Sequence, residues 1–242
     1  LPGECIKLDA TRRTVNNSEI YNNLLMGCGK GNVGAGNGAG IVFLSADSTK
    51  SVNNNKVYNN TIVNNFGGAI SSACSGPCTG NIFRNNLMYD SGSKQLMTWS
   101  PSGTFQNNLV YSSATGTLIN FNGSSFTCSQ AILAADIDRD GTGNDSVRCL
   151  SPQFRAPSSN DFHLNSTSPA IDGGTNTGMP SGKLMSINNT VAGSHGLPSY
   201  ADNIPKTGNA WDIGAAEYGS SGPPTATISL SEPSPSRPGT IT

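Results

Sequence analysis

Four segments of the chain order their apolar and polar residues in the same way. An apolar residue is followed by an unconstrained one, two asparagines and a mostly apolar triplet. The segments are Ile20-Tyr21-Asn22-Asn23-Leu24-Leu25-Met26, Val57-Tyr58-Asn59-Asn60-Thr61-Ile62-Val63, Phe83-Arg84-Asn85-Asn86-Leu87-Met88-Tyr89 and Phe105-Gln106-Asn107-Asn108-Leu109-Val110-Tyr111. The asparagine pairs begin at 22, 59, 85 and 107, in steps of 37, 26 and 22 residues. Steps of the two shorter lengths fit one turn of a β-solenoid, whose repeats are read from self-similarity of this kind. The longest fits a turn with an insertion, for which the Gly-rich stretch from Gly27 to Gly40 is the candidate. Asn suits the bends of such a coil because it tolerates the left-handed backbone conformation. Coils stacked about 4.8 Å apart also bring equivalent Asn side chains within hydrogen-bonding reach, as a ladder.

Side chains alternate across a strand, so the triplets predict two columns. Leu25, Ile62, Met88 and Val110 are expected inside the solenoid. Their neighbours Leu24, Leu87 and Leu109, with Met26, Val63, Tyr89 and Tyr111, then lie together on an outer face. Left bare, that patch is unusually large for a soluble protein. The stretch from Ser151 to Tyr218 lacks the asparagine pair and is expected to fold back over this face, with Phe154, Phe162, Leu164 and Ile171 as the covering side chains. Glu4 to Asp9 is a candidate fifth coil. No amphipathic helix precedes the repeats, and an uncapped solenoid end exposes strand edges and core. Upstream coils or another covering element are therefore expected to be missing from this chain.

Composition narrows the partners. Only 12% of residues are charged and the net charge is −1, which argues against nucleic acid or an anionic membrane surface, since both need a dense basic patch. No apolar run approaches the roughly 18–20 residues that span a bilayer. The 29 Gly and 14 Pro suit short strands and frequent turns. Cys5, Cys28, Cys74, Cys78, Cys128 and Cys149 make an even count in a Lys-poor chain, which points to disulfides and an oxidising compartment. Nearest-neighbour pairing (Cys5–Cys28, Cys74–Cys78, Cys128–Cys149) is preferred among the 15 connectivities that six cysteines allow.

With these motifs the chain resembles the right-handed parallel β-helix proteins of the pectate-lyase-like superfamily. Ser151-Pro152-Gln153-Phe154, Asp161-Phe162-His163-Leu164 and Ser168-Pro169-Ala170-Ile171-Asp172-Gly173-Gly174-Thr175 are similar to the closing segment of secreted bacterial members. Asp212-Ile213-Gly214-Ala215-Ala216-Glu217-Tyr218 looks like their final motif. The resemblance implies an all-β, right-handed parallel β-helix of few coils with an irregular closing segment over residues 1–218. It also implies an extracellular or cell-surface protein whose partner is a polysaccharide. It does not decide between a polysaccharide lyase or hydrolase and a non-catalytic glycan-binding, adhesin or structural module, because one architecture carries many activities. Residues 219–242 read as a linker followed by the start of an immunoglobulin-like module, so other modules of a larger protein are expected partners. Within it, Thr225-Ala226-Thr227-Ile228-Ser229-Leu230 alternates like a strand.

Two sets of residues are candidates for chemistry. Asp136-Ile137-Asp138-Arg139-Asp140-Gly141-Thr142-Gly143-Asn144-Asp145 places acids at positions 1, 3 and 5 and Gly at 6, as in an EF-hand calcium loop. Asp136, Asp138, Asp140, Thr142 and Asn144 are the expected ligands. Val147 stands where a bidentate Glu belongs, which leaves Asp145 as the substitute. The second set is the column Tyr21, Tyr58, Arg84 and Gln106, expected to face outward as a sugar-stacking platform that Trp99 extends. For a lyase base, Lys56, Arg84 and Lys94 are candidates by residue type alone. Asp47, Asp90, His163 and His195 read as turn or structural residues.

Overall fold

A computed structural model of the chain describes residues 3–29, 38–89, 97–99, 103–112, 118–121, 123–127, 147–175, 210–215, 218 and 227–229, with backbone only for 97–99, 147–148 and 227–229. The first coil holds β1 (Ile6–Asp9), β2 (Glu19–Tyr21) and β3 (Leu24–Met26). The second holds β4 (Ile41–Ser45), β5 (Lys56–Tyr58) and β6 (Thr61–Val63). The third holds β7 (Ile70–Cys74), β8 (Asn81–Arg84) and β9 (Leu87–Tyr89), and the fourth β10 (Met97–Trp99), β11 (Gly103–Gln106) and β12 (Asn108–Tyr111). A fifth, partial coil contributes β13 (Ile119–Phe121), β14 (Ser124–Phe126) and β15 (Val147–Arg148). Equivalent strands pair coil to coil. Sheet A runs β1-β4-β7-β10-β13-β14, sheet B contains β2-β5-β8-β11, and sheet C runs β3-β6-β9-β12-β15. Every coil-to-coil pairing is parallel. The chain is thus an all-β parallel β-helix, as expected.

The inner columns are the ones the triplets predict. Leu25, Ile62, Met88 and Val110 stand in register on successive strands of sheet C and are all buried in one core. Sheet B adds Ile20, Val57, Phe83 and Phe105, again in register. The Phe83 and Phe105 rings stack at 4.8 Å, and Phe43 of sheet A meets Phe83 edge-on. This interior is closed to water from all three sheets, which is why it is apolar.

The second asparagine of each pair forms the expected ladder. Asn23 donates its backbone N–H and Nδ2 to Asn60 Oδ1 at 3.1 and 2.8 Å. Asn60 does the same to Asn86 (3.3 and 2.9 Å), and Asn86 to Asn108 (both 3.0 Å). All four are buried, so the ladder satisfies polar groups that would otherwise be costly. A second ladder lies at the entry to sheet B. Ser18 N–H donates to Asn55 Oδ1, and Asn55 donates N–H and Nδ2 to Asn81 Oδ1. Its spacings of 37 and 26 residues repeat those of the main ladder.

The inserted loop is visible at its base. Gly29 and Gly38 touch, such that a Cβ on Gly29 would lie 2.3 Å from Gly38 Cα. Cys5 and Cys28 form one disulfide and Cys74 and Cys78 another. Cys149 is also disulfide-bonded, while Cys128 lies outside the described residues. These bonds mark a non-reducing compartment. Among the described residues no helix is long and apolar enough to cross a membrane. At the amino end, β18 (Thr227–Ser229) pairs antiparallel with β2. A strand therefore exists within residues 225–230, as expected, and, contrary to the expectation that any cover is missing from this chain, it occupies the edge of β2.

Candidate functional site

The closing segment folds back over sheet C. It contains β16 (Phe154–Ala156), a single 3₁₀ turn at Pro157–Ser159 and β17 (Asp161–Leu164), the two strands forming an antiparallel pair. Val63, Leu87 and Leu109 on the outer face of sheet C pack with Phe154, Phe162, Leu164, Ala170 and Ile213, and Leu24, Met26, Tyr89, Tyr111 and Ile171 flank them. Tyr89 and Tyr111 stack at 5.7 Å, and Phe154 meets Tyr89 edge-on at 5.3 Å. The apolar outer column is covered as the alternation demanded.

The first asparagine of each pair has a separate task. Asn22, Asn59, Asn85 and Asn107 all sit at φ 51–55°, the left-handed bend between sheets B and C. That bend turns the last three side chains toward the closing segment. Asn59 Nδ2 donates to the carbonyls of Asp212 and Gly214. Asn85 donates Nδ2 to the Thr175 carbonyl at 2.7 Å and accepts the Thr175 N–H at 2.9 Å, while Asn107 Nδ2 donates to the Gly173 carbonyl. The second asparagine of each pair thus holds coil to coil, and in these three coils the first holds the closing segment, with Asn85 also donating Nδ2 to Asn59 Oδ1 of the preceding coil at 3.3 Å.

The closing motifs complete this junction from their own side. The Asp212 carboxylate accepts N–H bonds from Asp172 (2.8 Å) and Tyr218 (2.6 Å), and Asp172 accepts that of Ala210. Burial pushes the Asp212 carboxyl above its usual range, against the lowering effect of these N–H donors. Gly214 has φ +103°, and a Cβ there would lie 2.8 Å from Thr61 Oγ1 and 3.2 Å from Leu87 Cβ. Ser168 Oγ donates to the Pro152 carbonyl at 2.6 Å, tying the first closing motif to the third. The closing motifs are structural: they fasten the segment to the coils.

The residues expected to form a recognition column lie on the outer face of sheet B. Its strands align Tyr21, Tyr58, Arg84 and Gln106 in one row, and Glu19, Lys56 and Ile82 in the next. The expected column is present, with one correction: its tyrosines are not an open platform. Their rings stack at 5.4 Å and 18°, but Tyr21 and Tyr58 are only 7% and 3% exposed. Which face of a strand is outward follows from alternation; whether anything covers it depends on the tertiary fold. Burial pushes the Tyr58 hydroxyl well above its ordinary value, and its hydrogen bond to Glu19 and the Glu19 charge add to this. Burial and Glu19 raise Tyr21 in the same direction. Glu19 also receives Lys56 Nζ at 3.0 Å. Arg84, the other cation of the face, is partly covered. Its Nε is buried and has no hydrogen-bond partner among the described residues.

Trp99 requires a second correction. It lies on β10 of sheet A, paired with Phe121 of β13, because it belongs to the strand that opens the coil. It therefore does not extend the column on sheet B. Asp47 is a turn residue whose carboxylate accepts the Thr49 N–H and hydroxyl. His163 Nδ1 lies 2.5 Å from Asp161 Oδ1 on the closing hairpin. The loop Asp136, Asp138, Asp140, Thr142, Asn144 and Asp145, together with Asp90, Lys94 and His195, lies outside the described residues, as does the side chain of Trp99. No family model, curated protein or solved structure matches the chain.

Proposed function

We propose that this chain is an extracellular, polysaccharide-interacting β-helix of the pectate-lyase-like type, and that it engages its ligand on the outer face of sheet B around Arg84. The observation that carries this reading is the buried, unpartnered Nε of Arg84. A buried donor without an acceptor is costly, and the planar guanidinium matches a carboxylate or similar oxyanion. Gln106, partly exposed, flanks Arg84 in register, and its amide can bond sugar hydroxyls. The disulfides fit an extracellular setting. Asp136, Asp138, Asp140, Thr142, Asn144 and Asp145 are proposed to bind calcium, on the spacing of their oxygens. Residues 219–242 are read as leading toward a further module.

A second reading, a non-catalytic glycan-binding, adhesin or structural surface module, is favoured by the engagement of Lys56, one of the candidate bases, with Glu19. Screening the full chain against uronic-acid and neutral polymers, with absorbance of the unsaturated product recorded for each, separates the readings. Product formation establishes a lyase. Binding without product establishes a glycan-binding module, and absence of binding to every polymer overturns the first reading and the glycan-binding form of the second.

A further inference from the structure

We propose that Glu19 determines the charge pattern this face accepts: an acidic glycan whose uronic acids are separated by neutral sugars. The inference rests on the reading that Arg84 receives a carboxylate of the ligand, and it concerns what can lie on either side of that carboxylate.

Strands of sheet B stack about 4.8 Å apart, close to the advance of one pyranose in an extended polymer. A glycan laid along the coil axis therefore sets one sugar over each coil. With a uronate on Arg84 of β8, the neighbouring sugars lie over β5 and β11. On the β11 side the outward residues are Thr104 and Gln106, in register with Ile82 and Arg84. Both are uncharged and half-buried. Their hydroxyl and amide can bond sugar hydroxyls, and neither balances a second carboxylate.

The β5 side already holds a carboxylate. Glu19 starts on β2, yet both of these partners belong to β5: it receives Lys56 Nζ at 3.0 Å and the Tyr58 hydroxyl. The acid thus leans over the coil that adjoins Arg84. Its side chain keeps 33% of its surface exposed, so a ligand over this coil meets it. Lys56 is committed to the acid, and the pair leaves no net charge for the ligand. A second uronate here would face a like charge at short range, which costs more at a partly dehydrated surface than in bulk water. A neutral sugar can instead donate hydroxyls to the Glu19 oxygens. Arg84 is then the one cation of this face without a carboxylate partner among the described residues.

The test varies charge spacing on a single backbone. Polygalacturonate, a half methyl-esterified form and a fully esterified form of the same length are titrated into the full chain by calorimetry. Wild type is compared with Glu19→Gln, Glu19→Ala and Arg84→Gln, each shown to be folded by circular dichroism. Wild type is expected to bind the half-esterified polymer about tenfold more tightly than the fully charged one, and the fully esterified one most weakly. Glu19→Gln keeps an acceptor for Tyr58 but removes the charge and releases Lys56. It is expected to bind the two acidic polymers equally, and Glu19→Ala to lose the preference in the same way. Arg84→Gln is expected to weaken both. If Arg84→Gln weakens both polymers but wild type does not distinguish them, the inference is overturned and the reading of Arg84 stands. The same holds if both Glu19 variants keep the wild-type preference. No binding to either acidic polymer, or binding that Arg84→Gln leaves unchanged, overturns that reading and this inference with it.

Discussion

Replacing Asn85 separates the two properties that the first asparagine of each pair combines: a left-handed backbone and a hold on the closing segment. Asn85 has φ 52°, exchanges two hydrogen bonds with the Thr175 backbone, donates Nδ2 to Asn59 Oδ1 at 3.3 Å and is fully buried. Each such bond is worth about 1 kcal/mol net, and forcing a residue with a Cβ into the left-handed region costs about 1–2 kcal/mol. Asn85→Ala should therefore lose about 4–5 kcal/mol. Asn85→Gly tolerates the bend and should lose about 3 kcal/mol, mostly the three bonds. Asn22 is the internal control. It has φ 55°, and its side chain makes no hydrogen bond among the described residues. Asn22→Gly should thus cost little, and Asn22→Ala only the backbone strain. Urea unfolding of the four variants gives the comparison, provided the slopes match. Equal costs for Asn85→Gly and Asn22→Gly would show that the asparagines serve the bend alone and do not hold the closing segment.

Other expectations follow from the same packing. Ile62 is fully buried between Leu25 and Met88, so Ile62→Ala should cost about 2–5 kcal/mol in urea unfolding, and a cost under about 1 kcal/mol refutes the inner column. Phe154→Ala should loosen the cover on sheet C, seen as faster amide exchange in residues 154–164 and new binding of a hydrophobic dye; unchanged exchange would disprove the covering role. The Asp161 carboxyl is held below its usual value of 3.8: burial raises it, but the His163 side-chain and backbone donors and the His163 and Arg155 charges outweigh burial. A depressed acid contributes stability above its unfolded pKa and loses it as pH falls through the lower folded value. The melting difference between wild type and Asp161→Asn should then shrink as pH drops below about 3.8, and a constant difference would contradict the assignment. Calcium should raise the melting temperature and a chelator should lower it, since a ligand held by the folded state alone stabilises by about 2.7 kcal/mol at a hundredfold excess over Kd; no shift under either treatment removes the calcium site.

Much of the architecture was legible because it follows from a local period. Leu25, Ile62, Met88 and Val110 could be assigned inward, and Leu24, Leu87 and Leu109 outward, from their distance to an asparagine pair alone. Area then required a cover, and the stretch that begins at Ser151, which lacks the repeat, supplied it. Sheet A was harder to read, because its strands carry no asparagine marker and their spacing shifts with the insert between Gly29 and Gly38. The Ser18–Asn55–Asn81 ladder was readable in principle, since it repeats the steps of the main one, but a single Asn gives a weaker signal than a pair. The candidate site was legible as a row and not as a surface. Register placed Tyr21, Tyr58, Arg84 and Gln106 together, whereas the burial of the tyrosines and of Arg84 Nε does not follow from register. Trp99 was misplaced for a related reason, since nothing near residue 99 marks which sheet its strand joins.

The claim that the face around Arg84 receives an acidic sugar polymer is tested most directly by calorimetric titration of the full chain with polygalacturonate, comparing wild type with Arg84→Gln and with Arg155→Gln, an exposed control on the closing hairpin. A charged hydrogen bond is worth about 1.5–3 kcal/mol, and 1.4 kcal/mol is tenfold in affinity. The account predicts at least about tenfold weaker binding for Arg84→Gln and unchanged binding for Arg155→Gln. Measurable wild-type binding that survives Arg84→Gln undiminished would contradict it.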